Sequence, residues 1–176
     1  MTEHRVAGGA SLPTDANDRA AREAALKRTF GTYPTGVTIV TTMDGDTPRG
    51  FTANSFTSVS IDPPLLLVCH GNSASSSKIF HEADAFGVNI LASSQRDLAI
   101  RFASRIEDRF AGLDWRMGRG SPLLPYTAAW FDCAMHDKFS AGDHTILIGR
   151  VLDHGLSDRN ALAYWKGQFT ELSSHT

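Results

Sequence analysis

Residues 50–64, GFTANSFTSVSIDPP, place many small hydrogen-bonding side chains in a short stretch of chain. A buried strand normally carries apolar side chains at every position or at every second one. Here hydroxyl and amide groups instead fill the positions around Phe51 and Phe56, namely Thr52, Asn54, Ser55, Thr57, Ser58 and Ser60. An extended segment of this composition can present several donors and acceptors to one ligand.

A flavin ring system is one ligand that fits this pattern. Its edge carries carbonyl oxygens and ring nitrogens that bond short donors, and its dimethylbenzene end suits an apolar neighbour such as Phe51 or Phe56. A Ser- and Thr-rich edge strand explains the same residues equally well, because Thr favours strands and Ser favours turns. The residues alone leave both interpretations open.

A second polar group, GNSASSSK, precedes a predicted short helix. Ser75, Ser76 and Ser77 would lie at the helix start, where free backbone N–H groups and the helix dipole attract an anion, and Lys78 adds a positive charge. A plain serine N-cap is the structural alternative. The segment is not a P-loop, because Ser77 stands at the position of the second glycine. Nor does GRGSPL, residues 118–123, have the third glycine of a dinucleotide-binding fingerprint.

A third polar group lies where a predicted turn meets a strand and consists of Gly142, Asp143 and His144. Alone it is typical of an ordinary polar turn with a solvated histidine. The other histidines are scattered, and the chain has no GxSxG motif. The sequence therefore predicts no metal site and no hydrolytic nucleophile.

Composition excludes several classes of partner. The formal net charge is -2, with no basic block of the kind that follows a nucleic-acid backbone. No apolar run approaches the roughly 18 to 20 residues of a membrane span, and the first residues lack the apolar core of a signal peptide. Cys69 and Cys133 stand outside any CxxC motif, which predicts two reduced, half-buried thiols. Together these features predict a cytoplasmic protein.

The length of 176 residues predicts one domain, residues 18–176, after a flexible tail of residues 1–17. A helix capped by Asp15 or Asn17 should follow and end near Gly31. One face of this helix is apolar and consists of Ala21, Ala25, Leu26 and Phe30.

The rest of the chain reads mainly as strands. VTIVTT and GFTANSF predict two strands that flank a hairpin turn, and the Asp-Pro-Pro that follows should break regular structure. LLLVCH predicts a strand buried on both faces, and FGVNILA predicts another buried strand. Ser94 and Asp97 have the spacing of a capping box before a second short helix. Residues 105–126 predict a mobile surface excursion, residues 128–156 a long hairpin, and ALAYWKGQF a last strand or turn. Many antiparallel strands with few helices predict a closed β-barrel with helices outside it.

Five segments occur in the order seen in the short-chain flavin reductases, the reductase components of two-component flavin monooxygenases. They are FGTYPTGVTIVTT, GFTANSFTSVSIDPPLLLVC, SSSKIF, FGVNIL and AGDHTILIGRV. The chain resembles this family from about Phe30 to Phe169. The Thr/Ser block before Pro-Pro, combined with Gly-Asp-His downstream, is the specific part of the pattern.

The resemblance implies a mainly β fold with short helices, a split β-barrel of the FMN-binding type that forms a homodimer. It implies hydride transfer from NADH to FAD or FMN and release of reduced flavin to a partner monooxygenase. Residues that would contact the flavin ring and ribityl chain are Thr52, Ala53, Asn54, Ser55, Thr57 and Ser58. Residues near its phosphate would be Ser75, Ser76, Ser77 and Lys78. His144, with Gly142 and Asp143, would face the nicotinamide, and the tail around Tyr164, Trp165 and Gly167 would close the domain.

Two other functions remain compatible with the pattern. One is a pyridoxamine-phosphate-oxidase-like enzyme with tightly held FMN on a similar barrel. The other is a flavin-binding module without catalysis. The Gly-Asp-His segment favours the reductase over both, since a pure binder needs no histidine facing a nicotinamide.

Overall fold

The computed structural model describes residues 16–172. Its helices are α1 (Ala16–Phe30), α2 (Ser77–Glu82) and α3 (Arg96–Ala103), with a 3-10 turn at Ser93–Gln95. Helix α1 begins two residues inside the predicted tail, so Asn17 is helical and does not cap it. Asp15 and most of the predicted tail lie outside the described residues. No side chain of α1 is buried, and Phe30 is 68% exposed.

Twelve strands make up most of the rest of the described chain. They are β1 (Thr35–Gly36), β2 (Thr38–Asp44), β3 (Thr47–Ala53), β4 (Thr57–Ser60), β5 (Leu65–Gly71), β6 (Ala85–Ile90), β7 (Arg116–Met117), β8 (Pro122–Leu123), β9 (Ala129–Ala141), β10 (His144–Leu156), β11 (Leu162–Trp165) and β12 (Gln168–Glu171). Seven of them form one antiparallel sheet in the order β3-β2-β6-β9-β10-β5-β4. The predicted mainly β architecture with few short helices is confirmed.

Two predicted hairpins, β2–β3 and β9–β10, are confirmed, and each has a glycine in its turn. Strands β2 and β3 pair from Thr38↔Ala53 to Asp44↔Thr47, and the two-residue turn between them places Gly45 at φ 58°. Strands β9 and β10 pair through His144↔Ala141, with Gly142 at φ 63°. A positive φ costs glycine nothing and suits the two-residue turns that join antiparallel strands.

Strand β5 differs from the expectation that it is buried on both faces. Its residues alternate between buried and half-buried, with Leu66, Val68 and His70 inside and Leu65, Leu67 and Cys69 half-buried. A run of apolar residues carries no period of its own, so the sequence could not distinguish one covered face from two. Cys133 is fully buried and not half-buried as predicted, and both cysteines are free thiols.

The start of α3 also differs from the prediction. Ser94 lies in the 3-10 turn, and Gln95 is the residue that precedes the helix. The Gln95 side chain accepts a hydrogen bond from the Ala92 N–H at 3.0 Å and donates to the Pro125 carbonyl at 3.0 Å. Gln95 therefore caps the 3-10 turn at Ala92, and within the described chain no side chain caps α3 itself, so the capping box predicted at Ser94 and Asp97 is wrong.

The segment after α3 is irregular apart from the two-residue strands β7 and β8, and part of it is buried. Phe110, Leu123 and Leu124 are buried, and Ser121 has no exposed surface. The buried carboxylate of Asp132 on β9 holds residues 119–121 of this segment in place. That carboxylate accepts hydrogen bonds from the Ser121 hydroxyl at 2.6 Å, from the Gly120 N–H at 3.2 Å and from the Arg119 N–H. This arrangement holds residues 119–121 in place, while most of residues 105–117 are exposed, as the predicted surface position requires.

Strands β3 and β5 are far apart in the sheet order, yet residues at their ends contact each other. The Cys69 N–H donates to the Ser55 hydroxyl at 2.8 Å. The rings of Phe51 and His70 meet edge-to-face with centroids 4.3 Å apart. Phe51 also packs against the core that Val40, Val68, Phe80 and Phe86 share.

Within residues 16–172, none of the helices combines the length and the apolarity that crossing a bilayer requires.

Candidate functional site

The Thr/Ser block, residues 52–58, contains side chains that are bonded within the protein and side chains that are open to solvent. The Thr52 hydroxyl donates to the Ala99 carbonyl of α3 at 2.6 Å. Ser55 accepts from the Cys69 N–H, and Ala53 is a core residue at 9% exposure. These three predicted site residues therefore also hold β3 against its neighbours.

The other three predicted residues of this block are exposed. Asn54 follows the end of β3, and Thr57 and Ser58 lie on β4, an edge strand of the sheet. Within the described chain, no hydrogen bond occupies their side chains. They retain free donors and acceptors beside the bonded Thr52 and Ser55.

A buried histidine bonds the Ser-rich loop, the GNSASSSK segment of residues 71–78. His70, 2% exposed, lies between Phe51 and Phe80, and a hydrogen bond of 3.0 Å joins its Nε2 to the Ser76 hydroxyl. Burial, with smaller contributions from nearby His144 and Arg109, lowers the pKa of His70 to about 4. The imidazole is therefore neutral near pH 7 and can bond the serine without bringing a charge into the core.

The remaining residues of this group surround the first turn of α2. Ser75 is exposed, Ser77 is half-buried, and Lys78 is exposed with its Nζ 3.8 Å from a carboxylate oxygen of Glu82. Ser76 precedes the helix but makes no side-chain capping bond to it. The simple N-cap interpretation is therefore wrong for Ser76, whose hydroxyl bonds His70.

The turn between β9 and β10 holds the third group. His144 Nδ1 and Asp143 Oδ1 are 2.7 Å apart, and this hydrogen bond is the main cause that lowers the pKa of Asp143. With Nδ1 bonded to a carboxylate, Nε2 is the ring atom left for another partner. Gly142 supplies the positive φ of the turn, and all three residues are exposed.

Strand pairing brings the second and third groups together. His144 pairs with Gly71, the residue after His70, at the point where β5 leads into the Ser-rich loop. The Asn72 N–H donates to the Asp143 carbonyl at 2.9 Å, and the Thr145 hydroxyl donates to the Asn72 side chain at 2.8 Å. The Phe51 and Ser55 contacts with β5 bring the Thr/Ser block to the same strand. All three predicted groups thus meet around the end of β5.

Sequence reasoning missed a group of arginines beside the Ser-rich loop. A cavity of about 360 Å³, which we call the arginine cavity, lies beside this loop. Its lining includes Ser75, Ser76 and Gly50 together with Arg49, Arg105 and Arg109. Arg109 is fixed there by hydrogen bonds to the Gly50 carbonyl at 2.8 Å and the Ser104 carbonyl at 2.6 and 3.1 Å. Its burial lowers its pKa. The arginines come from β3 and an irregular segment, so no periodicity in the sequence marks them.

A smaller cavity of about 250 Å³ lies at the other end of β3 and includes Thr52, Ala53, Asn54, Tyr164 and Phe169. The rings of Tyr164 and Phe169 are in contact with centroids 5.3 Å apart. The C-terminal tail that the resemblance assigned to domain closure therefore contributes Tyr164 here. Phe169, which sequence reasoning did not single out as a site residue, lies beside it.

Among residues 16–172, no three His, Cys, Asp or Glu side chains lie together in an arrangement that could hold a metal ion.

Comparison with known proteins identifies the family. Residues 30–173 match the family described as flavin reductase like domain. A reductase subunit of stachydrine N-demethylase from Rhizobium meliloti is 48% identical over 147 residues, which are 82% of this chain and 64% of that protein. The reductase component of a flavin-dependent trigonelline monooxygenase from Acinetobacter baylyi is 46% identical over 86% of this chain and 50% of its own. The chain therefore belongs to the flavin reductase like family, and the predicted resemblance is confirmed.

A solved structure extends the comparison over nearly the whole chain. It is the NADH:FAD oxidoreductase of Streptomyces globisporus C-1027 in complex with NAD and FAD fragments. It is 38% identical, covers 94% of this chain and 99% of its own, and has a TM-score of 0.82. The two reductase components above are longer, and this chain spans about half to two thirds of their length.

Proposed function

We propose that this protein is a flavin reductase that transfers a hydride from NADH to FAD or FMN and supplies the reduced flavin to a partner monooxygenase. The observation that carries the proposal is the meeting of the three polar groups around the end of β5. His144 pairs with Gly71 beside the Ser-rich loop, and Ser55 bonds Cys69 on the same strand. The names of the relatives above supply the reaction class.

The side chains present suit a flavin in two respects. Asn54, Thr57 and Ser58 are exposed hydrogen-bonding groups that can meet the polar edge of the ring. Arg49, Arg105 and Arg109 line a cavity beside Ser75 and Ser76, and guanidinium groups of this kind suit a phosphate group.

A bound flavin supplies the redox chemistry by accepting a hydride at its ring. The protein has to hold the donor and the acceptor in contact, which accounts for a large part of the rate in such reactions. Thr52–Ser58 would contact the ring and ribityl chain, and Ser75, Ser76, Ser77 and Lys78 would contact the phosphate. No acid–base pair is required of these residues, because no proton transfer accompanies the hydride.

His144 would orient the nicotinamide. The Asp143 carboxylate accepts a hydrogen bond from the Nδ1–H of His144 and fixes the imidazole, so that Nε2 can bond the carboxamide or a phosphate of NADH. Gly142 keeps the turn tight, and Asp143 also receives the Asn72 N–H at its carbonyl. These two residues would act by holding the histidine against the Ser-rich loop.

The proposal includes a split β-barrel and a homodimer. Contacts between β3 and β5 support closure of the sheet, since these strands are well separated in the sheet order.

Exposed apolar residues support a homodimer, because a second copy of the chain could cover them. Leu26 and Phe30 on α1 are 52% and 68% exposed, and Val59 and Ile61 on and after edge strand β4 are 47% and 90% exposed. Light scattering at micromolar concentration should report a dimer, and a stable monomer would contradict this part of the proposal.

The function is tested by steady-state oxidation of NADH with and without added flavin. NADH should be consumed only when FAD or FMN is present, with oxygen reoxidising the product, and NADPH should be the poorer donor. If FMN remains bound through gel filtration and no NADH is oxidised, the oxidase-like alternative is favoured. If flavin binds reversibly without NADH oxidation, the protein is a binding module.

A further inference from the structure

His70 and Ser76 form a buried polar pair beside the arginine cavity. His70 lies on β5 and is 2% exposed, and a hydrogen bond of 3.0 Å joins its Nε2 to the Ser76 hydroxyl. Ser76 belongs to the cavity lining, whereas His70 does not. The histidine can therefore act on the cavity only through the serine.

Groups from four other elements of the fold surround the His70 ring. It meets the ring of Phe51 on β3 edge-to-face with centroids 4.3 Å apart, and it stacks on Phe80 of α2 with centroids 5.1 Å apart. Burial disfavours a charge on the ring, and His144 and Arg109 add smaller effects in the same direction. The pKa of His70 is therefore about 4, and the imidazole carries a single proton near pH 7.

Only one ring nitrogen of His70 has a hydrogen-bond partner within residues 16–172. Nε2 bonds Ser76, and Nδ1 has no partner in that range. A proton on Nδ1 would lack an acceptor in a ring that water scarcely reaches, whereas an unprotonated Nδ1 leaves only a lone pair unused. Unsatisfied donors in such positions are costly and rare. The neutral ring should therefore carry its proton on Nε2 and donate it to the Ser76 oxygen.

This direction of donation leaves the hydroxyl proton of Ser76 free. The hydroxyl makes no other hydrogen bond among the described residues, and it does not cap α2. The main chain of Ser76 is fixed separately, since its carbonyl accepts a hydrogen bond from the Phe80 N–H at 3.1 Å. Ser76 is 6% exposed and lines the arginine cavity. An anion in that cavity is therefore a suitable acceptor for its proton.

We propose that His70 is a positioning residue for the flavin phosphate, and that its Nε2–H bond to Ser76 turns the serine hydroxyl proton towards a phosphate oxygen. The inference rests on the proposed function for the presence of that phosphate at Ser76. A neutral histidine suits this role, because it donates from a fixed position between two aromatic rings without placing a charge near Arg109. His70 does not contact the phosphate itself.

Three single variants separate the hydrogen bond from the packing. His70→Phe keeps an aromatic ring between Phe51 and Phe80 and removes the donor, His70→Gln keeps an N–H donor, and Ser76→Ala removes the hydroxyl. These variants, the double variant His70→Phe/Ser76→Ala and the wild type should be titrated with FMN and with riboflavin, which lacks the phosphate. His136→Phe is the matched control, since His136 is exposed on β9 and outside the cavity lining. Circular dichroism checks that each variant is folded.

The expected losses are specific to the phosphate. His70→Phe and Ser76→Ala should each weaken FMN binding about tenfold, the usual effect of losing one hydrogen bond to a charged group, and change riboflavin binding less than about twofold. His70→Gln should bind FMN within about threefold of the wild type, because its amide N–H replaces the lost donor. The double variant should lose no more than about tenfold, since the histidine acts through the serine. His136→Phe should bind both ligands as the wild type does.

Four results would overturn the positioning role. Equal losses of FMN and riboflavin in His70→Phe would mean that the histidine only supports the fold. Unchanged or tighter FMN binding in that variant would mean that Ser76 does not depend on a proton from His70. A loss in His70→Gln as large as in His70→Phe would exclude the N–H donor as the cause. A loss of about a hundredfold in the double variant would mean that the two residues act independently.

The titrations need no turnover, which keeps them separate from the test of the proposed function. A loss of FMN binding alone in His70→Phe, restored in His70→Gln, supports the positioning role even if the protein oxidises no NADH. If the wild type bound riboflavin as tightly as FMN, no phosphate would be held at Ser76 and the positioning role would be wrong. The reductase function would still stand or fall by the oxidation of NADH.

Discussion

The irregular segment after α3 contains two polar regions of opposite character. At residues 119–121 it surrounds the Asp132 carboxylate with two backbone N–H groups and one hydroxyl, and this carboxylate has no exposed surface. At residues 105–109 it contributes two arginines to the arginine cavity, and one of them, Arg105, makes no hydrogen bond or ion pair within residues 16–172. The Asp132 carboxylate thus has its hydrogen bonds satisfied within the protein, whereas the Arg105 guanidinium does not.

The difference separates structural charges from candidate binding charges. A buried ion whose bonds are all made stabilises one arrangement of the chain, whereas unpaired donors around a cavity are best explained by a ligand. The same distinction divides the Thr/Ser block, where Thr52 and Ser55 are bonded within the protein and Asn54 is open. Changes to the bonded residues should affect stability, and changes to the open residues should affect binding.

The largest effect should come from Asp132→Ala. The substitution leaves the Ser121 hydroxyl and the N–H groups of Arg119 and Gly120 without their acceptor, and we expect a loss of about 4 kcal/mol in the free energy of unfolding. Urea denaturation measures it. Asp153→Ala is the control, because its exposed pair with Arg119 at 3.7 Å should contribute less than about 1 kcal/mol. Equal losses in the two variants would remove the contrast between the two regions.

The next effect is the dependence of stability on pH through His70. The pKa of His70 is about 4 in the folded protein and 6.5 in a model peptide, so the unfolded chain takes up the proton first as pH falls. The stability that His70 contributes is complete above pH 6.5, and about 3 kcal/mol is lost between pH 6.5 and 4. Denaturation at several pH values measures the slope, and His70→Gln should flatten it. An unchanged slope in that variant would contradict the role of His70.

A smaller effect is expected at the start of α2. Lys78→Ala should weaken flavin binding by about 1 kcal/mol, the low end for a charge-assisted contact, because the side chain is exposed and lies near Glu82. Glu82→Ala should leave flavin affinity unchanged or raise it, since it removes the competing carboxylate. Fluorescence titration of flavin measures both variants. If neither variant alters flavin affinity, Lys78 does not contact the phosphate.

The sequence predicted the parts of the fold that depend on local chemistry. Both two-residue hairpins follow from glycines at positive φ, and α1 and α2 were expected near where they lie. The anchoring of the irregular segment was missed, because Asp132 meets residues 119–121 only after β9 joins the sheet. Segment composition cannot reveal such a contact.

The candidate site was likewise predictable only in part from the sequence. Its polar residues stood out in the sequence, but their proximity depends on the pairing of β10 with β5, which places His144 opposite Gly71. The arginine cavity draws residues from β3, the Ser-rich loop and the segment after α3. Three separate segments without a shared period give a sequence-based argument nothing to detect.

The central claim is that nicotinamide and flavin are bound by separate residues around the end of β5. Anaerobic rapid mixing of flavin-loaded protein with NADH tests it most directly in wild type, His144→Ala and Asp143→Asn. We predict that His144→Ala raises the NADH concentration for half-maximal flavin reduction or slows the reduction itself, about tenfold in either case, with flavin affinity changed less than about twofold. Asp143→Asn should have a smaller effect of the same kind, because it alters only the orientation of the imidazole. Lost flavin affinity with an unchanged NADH dependence in His144→Ala would contradict the account and assign the Gly-Asp-His turn to the flavin.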